Sequence, residues 1–458
     1  MDNRNAVYSS KENFTAELIR VKRTKVQFHQ NLLKIILVLE GSLKAKSGFE
    51  INQVQEGDFF FINAGDVYSL WSEQESSLVG VLYLDIEKLE SLIKYLPGIR
   101  FRNTFPNGSK QPKSKFDLVR ERNFKRYLLE VLYLCNSYSR LERRELHDVF
   151  IRILGQACSD YDSIYFGKPC TQYISRKKVE RIRRVLNYVK QNLSQNISLN
   201  DMARKEGVGK TYFTLMWKEL MDLPFGEYVN YERVLYSERL LLFTDKTMID
   251  ISEECGFSDV KYYYKYFKHW YGKKPAEWKK DWLKYCSDEA IVYNLECDEA
   301  KSTLDKFSKK YITNTKKNNS RIYEQYQILN NATDLVESMK SNMLVCFDLF
   351  SPENLPEQDR ENKELPEYGA INLFMRQVYE MGLGLQLSIR AESLNTPAYR
   401  DALEYILDKG EQHYGLMEMK NWEFQFLCKD LRELAKAKSF GDWIEKRLRG
   451  GKIRYILV

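Results

Sequence analysis

Two successive helix-turn-helix patterns occupy residues 182–284, and they point to hydrogen bonding with DNA bases as the chemistry of this segment. Each pattern has a short helix, a glycine-containing turn and a longer second helix. The segments are Leu199–Ala203, Gly207 and Lys210–Met221 in the first pattern, and Ile249–Cys255, Gly256 and Asp259–Tyr271 in the second. Glycine tolerates the positive φ that swings one helix across another. Since the second helix of such a unit presents outward-facing residues to the major groove, the sequence predicts two DNA-reading helices.

Positive charge is concentrated in the same segment. Between Arg176 and Lys284 there are 22 Lys and Arg residues against 15 Asp and Glu residues, an excess equal to the net charge of +7 of the whole chain. A local basic excess is typical of a surface that binds a polyanion, although solvated helical faces are often basic as well.

The stretch ISEECGFSDVKYYYKYFKHWYGKKPAEWKK, residues 251–280, resembles the signature of the AraC/XylS family of transcription regulators. The matching positions are Ile251-Ser252, Gly256-Phe257, Tyr262-Tyr263, Phe267-Lys268, Gly272, Pro275 and Lys279. The upstream unit also matches, at Leu199, Met202-Ala203, Val208, Tyr212-Phe213, Trp217-Lys218 and Phe225–Tyr228. The departures are Ser252 for Ala, Tyr263 for Phe, Asp222 for Gly, and Leu215 where an arginine often reads bases.

This resemblance implies double-stranded DNA as a partner and assigns the residues that contact it. The base-facing positions are Thr211, Thr214 and Leu215 in the first helix and Lys261, Tyr262, Tyr264 and Lys265 in the second. Lysines expected at the phosphate backbone include Lys210, Lys218 and Lys268, which position the protein without reading sequence. Because Leu215 cannot hydrogen-bond a base whereas Lys265 can donate to guanine, we expect the second helix to discriminate sequence more strongly.

Residues 15–85 alternate apolar and polar side chains in short runs separated by turn residues, which predicts a small antiparallel sandwich or barrel. The segment is similar to the cupin-like sensory half of many family members. Candidate contacts with a small effector, with a sugar as one option, are His29, Glu40, Tyr68 and Trp71. Alternatively, Tyr68 and Trp71 are plain core residues. With only four histidines in the chain, and only His29 in this segment, we expect no metal site.

Helical periodicity over residues 116–157 predicts amphipathic helices. In this architecture they would form the contact of a homodimer, with Leu132 and Ile153 as anchors.

Residues 366–390 and the stretch around Trp422 resemble part of a family 39 glycoside hydrolase (β/α) barrel, and strands near 343–350 and 383–389 flank a helix over 371–381. Trp422, Phe424 and Gln425 match a strand that leads to the acid/base glutamate of that family. Lys429 stands at the glutamate position, and a retaining glycosidase needs two carboxylates. We therefore expect a non-catalytic half barrel, either poorly ordered or completed by self-association.

The sequence as a whole predicts a multidomain α+β protein with an N-terminal cupin-like β-barrel, a central all-α double helix-turn-helix and a C-terminal partial (β/α) barrel. The expected boundaries are 1–90 for the sensory domain, 91–172 for a helical dimerisation region, 173–285 for DNA binding, 286–320 for a linker and 321–458 for the hydrolase-like part. Eight cysteines without a CxxC pair, and the absence of a signal peptide or apolar span, predict a reduced cytoplasmic protein without a cofactor.

The predicted function is that of a ligand-responsive, sequence-specific transcription regulator that is not an enzyme. Two alternatives stay open from the sequence. One is a carbohydrate-active enzyme or sugar-binding remnant, and the other is a truncated regulator that binds DNA but no longer responds to a ligand.

Overall fold

A computed structural model describes residues 13–102, 115–135, 150, 153–158, 160–164, 176–287, 289–295, 297–311, 343–347, 384–395, 397–414, 416–419 and 422–457. No helix within these ranges is both long and apolar enough to cross a membrane.

An antiparallel, nearly closed β-barrel forms the N-terminal part, as the alternating sequence predicts. Its strands are β1 Phe14–Arg23, β2 Leu32–Glu40, β3 Ser42–Ser47, β4 Glu50–Gln55, β5 Phe59–Ile62, β6 Tyr68–Ser72 and β7 Ser77–Asp85. Hydrogen-bonded neighbours follow the order β4-β3-β6-β1-β7-β2-β5.

Strand β2 is apolar on both of its faces. Ile36 and Val38 belong to the cluster that fills the barrel, whereas Ile35 and Leu37 belong to a second cluster shared with helices. Because both faces are covered, the strand reads as an almost continuous apolar run instead of an alternating one.

Helix α1, Lys115–Cys135, lies against this outer face of the barrel. Leu132 packs so closely over Gly80 that a Cβ at Gly80 would lie 2.4 Å from Leu132 Cδ1. Leu132 and Ile153 are both fully buried in this core. Their expected role as anchors of a homodimer contact is therefore wrong, since the barrel itself already covers them.

Seven helices form the central region: α2 Arg176–Gln191, α3 Leu199–Lys205, α4 Lys210–Leu220, α5 Phe225–Phe243, α6 Met248–Glu254, α7 Val260–Tyr271 and α8 Pro275–Ser287. They build two small cores, one around Trp217 and one around Phe267. Helix α5 contributes buried residues to both cores. The expected turn glycines, Gly207 and Gly256, have φ values of +65° and +84°.

After α8 the chain returns to the barrel. Strand β8, Ile291–Asn294, pairs antiparallel with β1. Helix α9, Cys297–Tyr311, follows and adds Ala300, Leu304 and Phe307 to the core beneath α1. The segment 286–320 was expected to be a linker, yet it includes this strand and this helix. Ser302, Lys306 and Lys309 lie on the exposed side of this helix, and 312–320 lie outside the described residues.

The C-terminal part contains a four-stranded parallel sheet. Its elements are β9 Met343–Phe347, β10 Gly384–Arg390, α10 Pro397–Tyr414, α11 Leu416–Met419, β11 Glu423–Cys428, α12 Leu431–Leu448 and β12 Lys452–Leu457, with strand order β12-β11-β10-β9. Segments of (β/α) barrels share this sequential order with other parallel sheets, so the order alone identifies no barrel. The expected helix over 371–381 lies outside the described residues.

Lys429 follows β11 directly, where the glycosidase resemblance would require a glutamate. Its ammonium group is exposed and forms an ion pair with Glu392.

Candidate nucleic-acid interface and effector site

The expected base-facing positions of helix α4 carry few hydrogen-bonding groups. Thr211 is exposed and Leu215 is 63% exposed. Thr214 is half-buried, and its hydroxyl donates to the Lys210 carbonyl at 2.9 Å. Its methyl group and the Leu215 side chain are therefore better suited to a thymine methyl than to a hydrogen-bonded base edge.

Helix α7 presents a more polar face near its N-terminus. Asp259 caps the helix by accepting a hydrogen bond from the Lys261 backbone N–H at 2.7 Å. Lys261 and Lys265 are exposed and Tyr262 is 53% exposed, whereas Tyr264 is half-buried. The structure thus brings Lys261, Tyr262 and Lys265 to one accessible surface.

The inner side of α7 is fixed by aromatic packing. Tyr263 and Phe267 are fully buried, with ring centroids 5.7 Å apart, and Phe267 packs on Trp278 of α8 at 5.7 Å. Because these inward residues hold the helix axis, the outward residues are presented in a fixed orientation.

The lysines expected at phosphates, Lys210, Lys218 and Lys268, are all exposed. Tyr212, at the start of α4, is 45% exposed, and its ring centroid lies 6.0 Å from the Arg181 guanidinium carbon. Sequence reasoning treated Tyr212 only as part of a Tyr-Phe motif. Tyr212 directly follows Thr211, and this adjacency could have predicted that Tyr212 lies on the same accessible surface.

The two helix-turn-helix units are joined through Arg233 of α5. Its guanidinium donates to the Leu193 carbonyl at 3.0 Å and to the Gln195 carbonyl at 2.7 Å, both in the loop after α2. Gly256 packs on the same loop, and a Cβ there would lie 2.1 Å from the Leu193 carbonyl oxygen. The first unit and the turn of the second unit are therefore in direct contact.

A polar cluster lies at the end of the barrel where β2 begins. The Lys34 ammonium donates to the Tyr68 hydroxyl, which lies 3.2 Å from His29 Nδ1. The Tyr83 hydroxyl donates to Glu17. We name these five residues the barrel cluster.

Burial controls the charges of the barrel cluster. It lowers the pKa of Lys34 to about 7, against a smaller opposing effect of Glu17. It also lowers the pKa of His29 to about 4, and the positive charge of Lys34 acts in the same direction. At neutral pH His29 is therefore neutral, and Lys34 loses its proton more readily than an ordinary lysine, so both can exchange hydrogen bonds with a polar ligand.

Of the four effector contacts expected from sequence, the structure brings together only His29 and Tyr68. Glu40 is exposed and pairs with Arg20 at 3.1 Å. Trp71 is half-buried with its ring centroid 6.3 Å from that of Trp282 in α8. Lys34 was missed, although a lysine inside the apolar run of β2 was a visible signal.

The loop that carries His29 also touches the DNA-binding region. Phe28 packs against Phe243 at a centroid distance of 5.2 Å, and Gln30 accepts a hydrogen bond from Arg239 of α5. His29, which belongs to the barrel cluster, lies between Phe28 and Gln30 in this loop. A shift of the loop would therefore change both the barrel cluster and the contacts with α5.

Buried ion pairs also join the barrel to α5. Lys46 of β3 and Glu238 form an ion pair of 2.7 Å, and Arg100 bonds both oxygens of Asp66 at 2.6 Å while lying 3.6 Å from Glu232. Burial raises the pKa of Glu238 to about 7, and Lys46 opposes that shift.

Comparison with known proteins gives two family matches. Residues 21–151 match the AraC-like ligand binding domain, and residues 202–281 match a helix-turn-helix domain. An uncharacterized HTH-type transcriptional regulator of Staphylococcus aureus (strain COL) is 21% identical over 266 residues, which cover 58% of this chain and 34% of that protein. The chain thus spans about a third of the length of the S. aureus relatives it matches.

Two solved structures are also similar to parts of the chain. Unsaturated fatty acid bound ToxT from Vibrio cholerae is 17% identical, with 61% of this chain and 100% of that chain covered and a TM-score of 0.32. The DNA-binding domain of AdpA in complex with a target DNA is 18% identical, with 24% and 94% covered and a TM-score of 0.22. The chain thus contains a segment that matches an AraC-like ligand binding domain, followed by a segment that matches a helix-turn-helix domain.

Proposed function

We propose that this chain is an AraC-family transcription regulator that binds double-stranded DNA in a sequence-specific manner, with α4 and α7 entering the major groove. The observation that carries the proposal is the accessible surface of Lys261, Tyr262 and Lys265 on a helix whose opposite side is locked by buried Tyr263 and Phe267. Fixed presentation of a few donors is what direct base readout requires. Helix α4 adds apolar contacts through Leu215.

DNA affinity selection with the full chain, followed by sequencing, tests this proposal. We expect enriched fragments to share a motif that a Lys261→Ala, Lys265→Ala double variant loses. The matched control is Lys438→Ala, Lys446→Ala, which removes two exposed lysines from α12 in the C-terminal part. Enrichment without a motif, reduced equally by both double variants, would show that the chain is a general DNA binder.

We further propose that the barrel cluster binds a small polar effector, with a sugar as the first class to examine. His29 and Tyr68 provide hydrogen bonds, and Lys34 adds a buried donor. The loop from Val26 to Asn31 would transmit the effect, because it joins the cluster to Phe243 and Arg239. Such coupling requires that the effector bind the two arrangements of the loop with different affinity.

Thermal unfolding with a panel of aldoses and sugar acids identifies the effector. We expect the active compound to raise the unfolding temperature of the unaltered chain but not that of Tyr68→Phe. Phe28→Ala should still bind the compound yet lose its effect on DNA affinity. If the compound raised the unfolding temperature of the Tyr68→Phe, His29→Asn double variant as much as that of the unaltered chain, the effector would bind elsewhere.

The homodimer and the non-catalytic C-terminal domain are part of the same proposal. The dimer contact must use residues other than Leu132 and Ile153, which are buried within one chain. Sedimentation equilibrium measures the assembly state, and a monomer at micromolar concentration would contradict the dimer.

Hydrolysis of chromogenic xylosides or glucosides would contradict the assignment of Lys429 to a non-catalytic site.

A further inference from the structure

A small, partly open cleft lies where the barrel meets α5. Phe49 and Asn63 come from the barrel, Arg100 and Arg102 from the segment that follows it, and Tyr231 from α5. The cleft is formed by different residues from those of the barrel cluster.

Arg102 is the unusual residue of this cleft. Its side chain is 8% exposed in the folded chain, and its Nε atom is buried without a hydrogen-bond partner among the residues that the structure describes. A buried guanidinium that lacks an acceptor is unfavourable, and native proteins rarely retain one without a reason. Its backbone is held in place, because the Arg102 N–H donates to the Tyr161 carbonyl at 2.8 Å.

The neighbouring polar groups of the cleft bind residues other than Arg102. Arg100 is bound to Asp66, and the Asn63 amide exchanges two hydrogen bonds with the Phe101 backbone, at 2.7 and 3.0 Å. Glu50, another carboxylate of the lining, accepts from Asn52 at 3.1 Å, and within the described ranges no ion pair joins it to Arg102. Among the described residues, the Arg102 Nε therefore has no acceptor, and the side chain lines the cleft.

The rest of the lining suits a small molecule with a compact charged group. Phe49, Phe61 and Phe101 supply apolar walls. Burial raises the pKa of Tyr231, with Arg100 and Arg102 opposing the shift, so its phenol remains a hydrogen-bond donor at neutral pH. Guanidinium groups bind carboxylate and phosphate oxygens in a two-pronged geometry, which few other side chains provide.

We propose that this cleft is a second small-molecule site, which binds an oxyanion (a carboxylate or a phosphate group) through Arg102 and Tyr231. The occupant would contact the barrel side and α5 at once. It would therefore stabilise the arrangement in which these parts are joined. The site does not depend on DNA binding or on an effector in the barrel cluster.

Thermal unfolding and calorimetric titration of the full chain test the proposal, with inorganic phosphate, acetate and citrate as probes against sodium chloride at equal ionic strength. We expect at least one probe to raise the unfolding temperature by about 2–4 °C at saturation, as ligands that bind only the folded state do. A response to phosphate alone identifies a phosphate site, and a response to acetate or citrate alone identifies a carboxylate site. Failure of all three to exceed sodium chloride would overturn the proposal.

Arg102→Met separates binding from folding. Since this change removes an unsatisfied buried cation, the variant should unfold at the same temperature as the unaltered chain, or higher, in the absence of the probes, and should show no response to them. Arg102→Lys should keep a response with at least tenfold weaker affinity. Arg432→Met, at an exposed position on α12, is the control and should respond fully. An equal response of Arg102→Met and the unaltered chain would also overturn the assignment.

Discussion

Lys46 of the barrel and Glu238 of α5 form an ion pair in which both side chains are almost completely buried, although 192 positions separate them in the sequence. The Lys46 ammonium also lies 5.2 Å from the ring centroid of Trp278 and 5.3 Å from that of Trp282. The pair therefore joins the barrel, α5 and α8 at one point.

Breaking this pair should weaken the contact between the two domains. We expect Lys46→Met to lower the free energy of unfolding by about 1–3 kcal/mol, because Glu238 loses its partner and must stay protonated and without its hydrogen bond in the buried site. Lys46→Met combined with Glu238→Leu should recover much of that loss. Denaturant unfolding measures the effect, and Lys44→Met, which breaks the surface pair with Glu73, should cost less than about 1 kcal/mol. Equal losses at Lys46 and Lys44 would contradict the interpretation.

The two turn glycines should respond differently to alanine. Gly256→Ala combines a positive φ with a clash at the Leu193 carbonyl, so we expect it to displace the second unit and abolish specific DNA binding. Gly207 also has a positive φ but open space around it, and Gly207→Ala should cost only about 1–2 kcal/mol from backbone strain. Circular dichroism melts and DNA titrations distinguish the two outcomes. Wild-type DNA affinity in Gly256→Ala would show that the contact with the Leu193 loop is dispensable.

Lys265 and Lys268 lie one turn apart on α7 and should have different roles on DNA. Lys265→Ala should lower the affinity for the selected site by about 1–3 kcal/mol and relax the preference at one base position. Lys268→Ala should weaken binding to all sequences alike. It should also reduce the slope of log affinity against log salt concentration by about one. Fluorescence anisotropy at several salt concentrations measures both, and identical behaviour of the two variants would argue against base contact by Lys265.

His29 should make stability depend on pH. Its pKa in the folded chain is lowered to about 4 by burial, so the unfolded chain binds more protons between about pH 4 and 6.5. Stability should therefore fall as the pH drops through this window, by on the order of 1 kcal/mol because the ring is partly hydrated. Denaturant unfolding at several pH values measures this effect, and His29→Asn should reduce the change in unfolding free energy over this pH range. An equal change in the two proteins would show that His29 does not titrate as described.

The sequence predicted the double helix-turn-helix well because its signals are local. Gly207 and Gly256 mark the turns, and the spacing of buried residues such as Phe213 and Phe267 marks the inner helix faces. The barrel cluster was predicted only in part. His29 and Tyr68 meet across a sheet whose register the sequence does not specify, and Trp71, three positions from Tyr68, lies at a different contact.

Contacts between distant segments could not be predicted. Leu132 looked like an exposed anchor because helical periodicity shows which face is apolar but not what covers it. The pair of Lys46 and Glu238 gave no sequence signal, since either residue alone is typical of an exposed surface.

The return of β8 to β1 has a topological consequence. Because the chain forms the barrel before the seven helices and re-joins the barrel's own sheet after them, the seven-helix region is connected to the barrel at both ends. A chimera that exchanges everything after residue 175 would remove β8 and α9 from the barrel fold. Exchanges that keep 289–311 with the barrel should preserve that fold, and they define the unit in which this chain can be recombined.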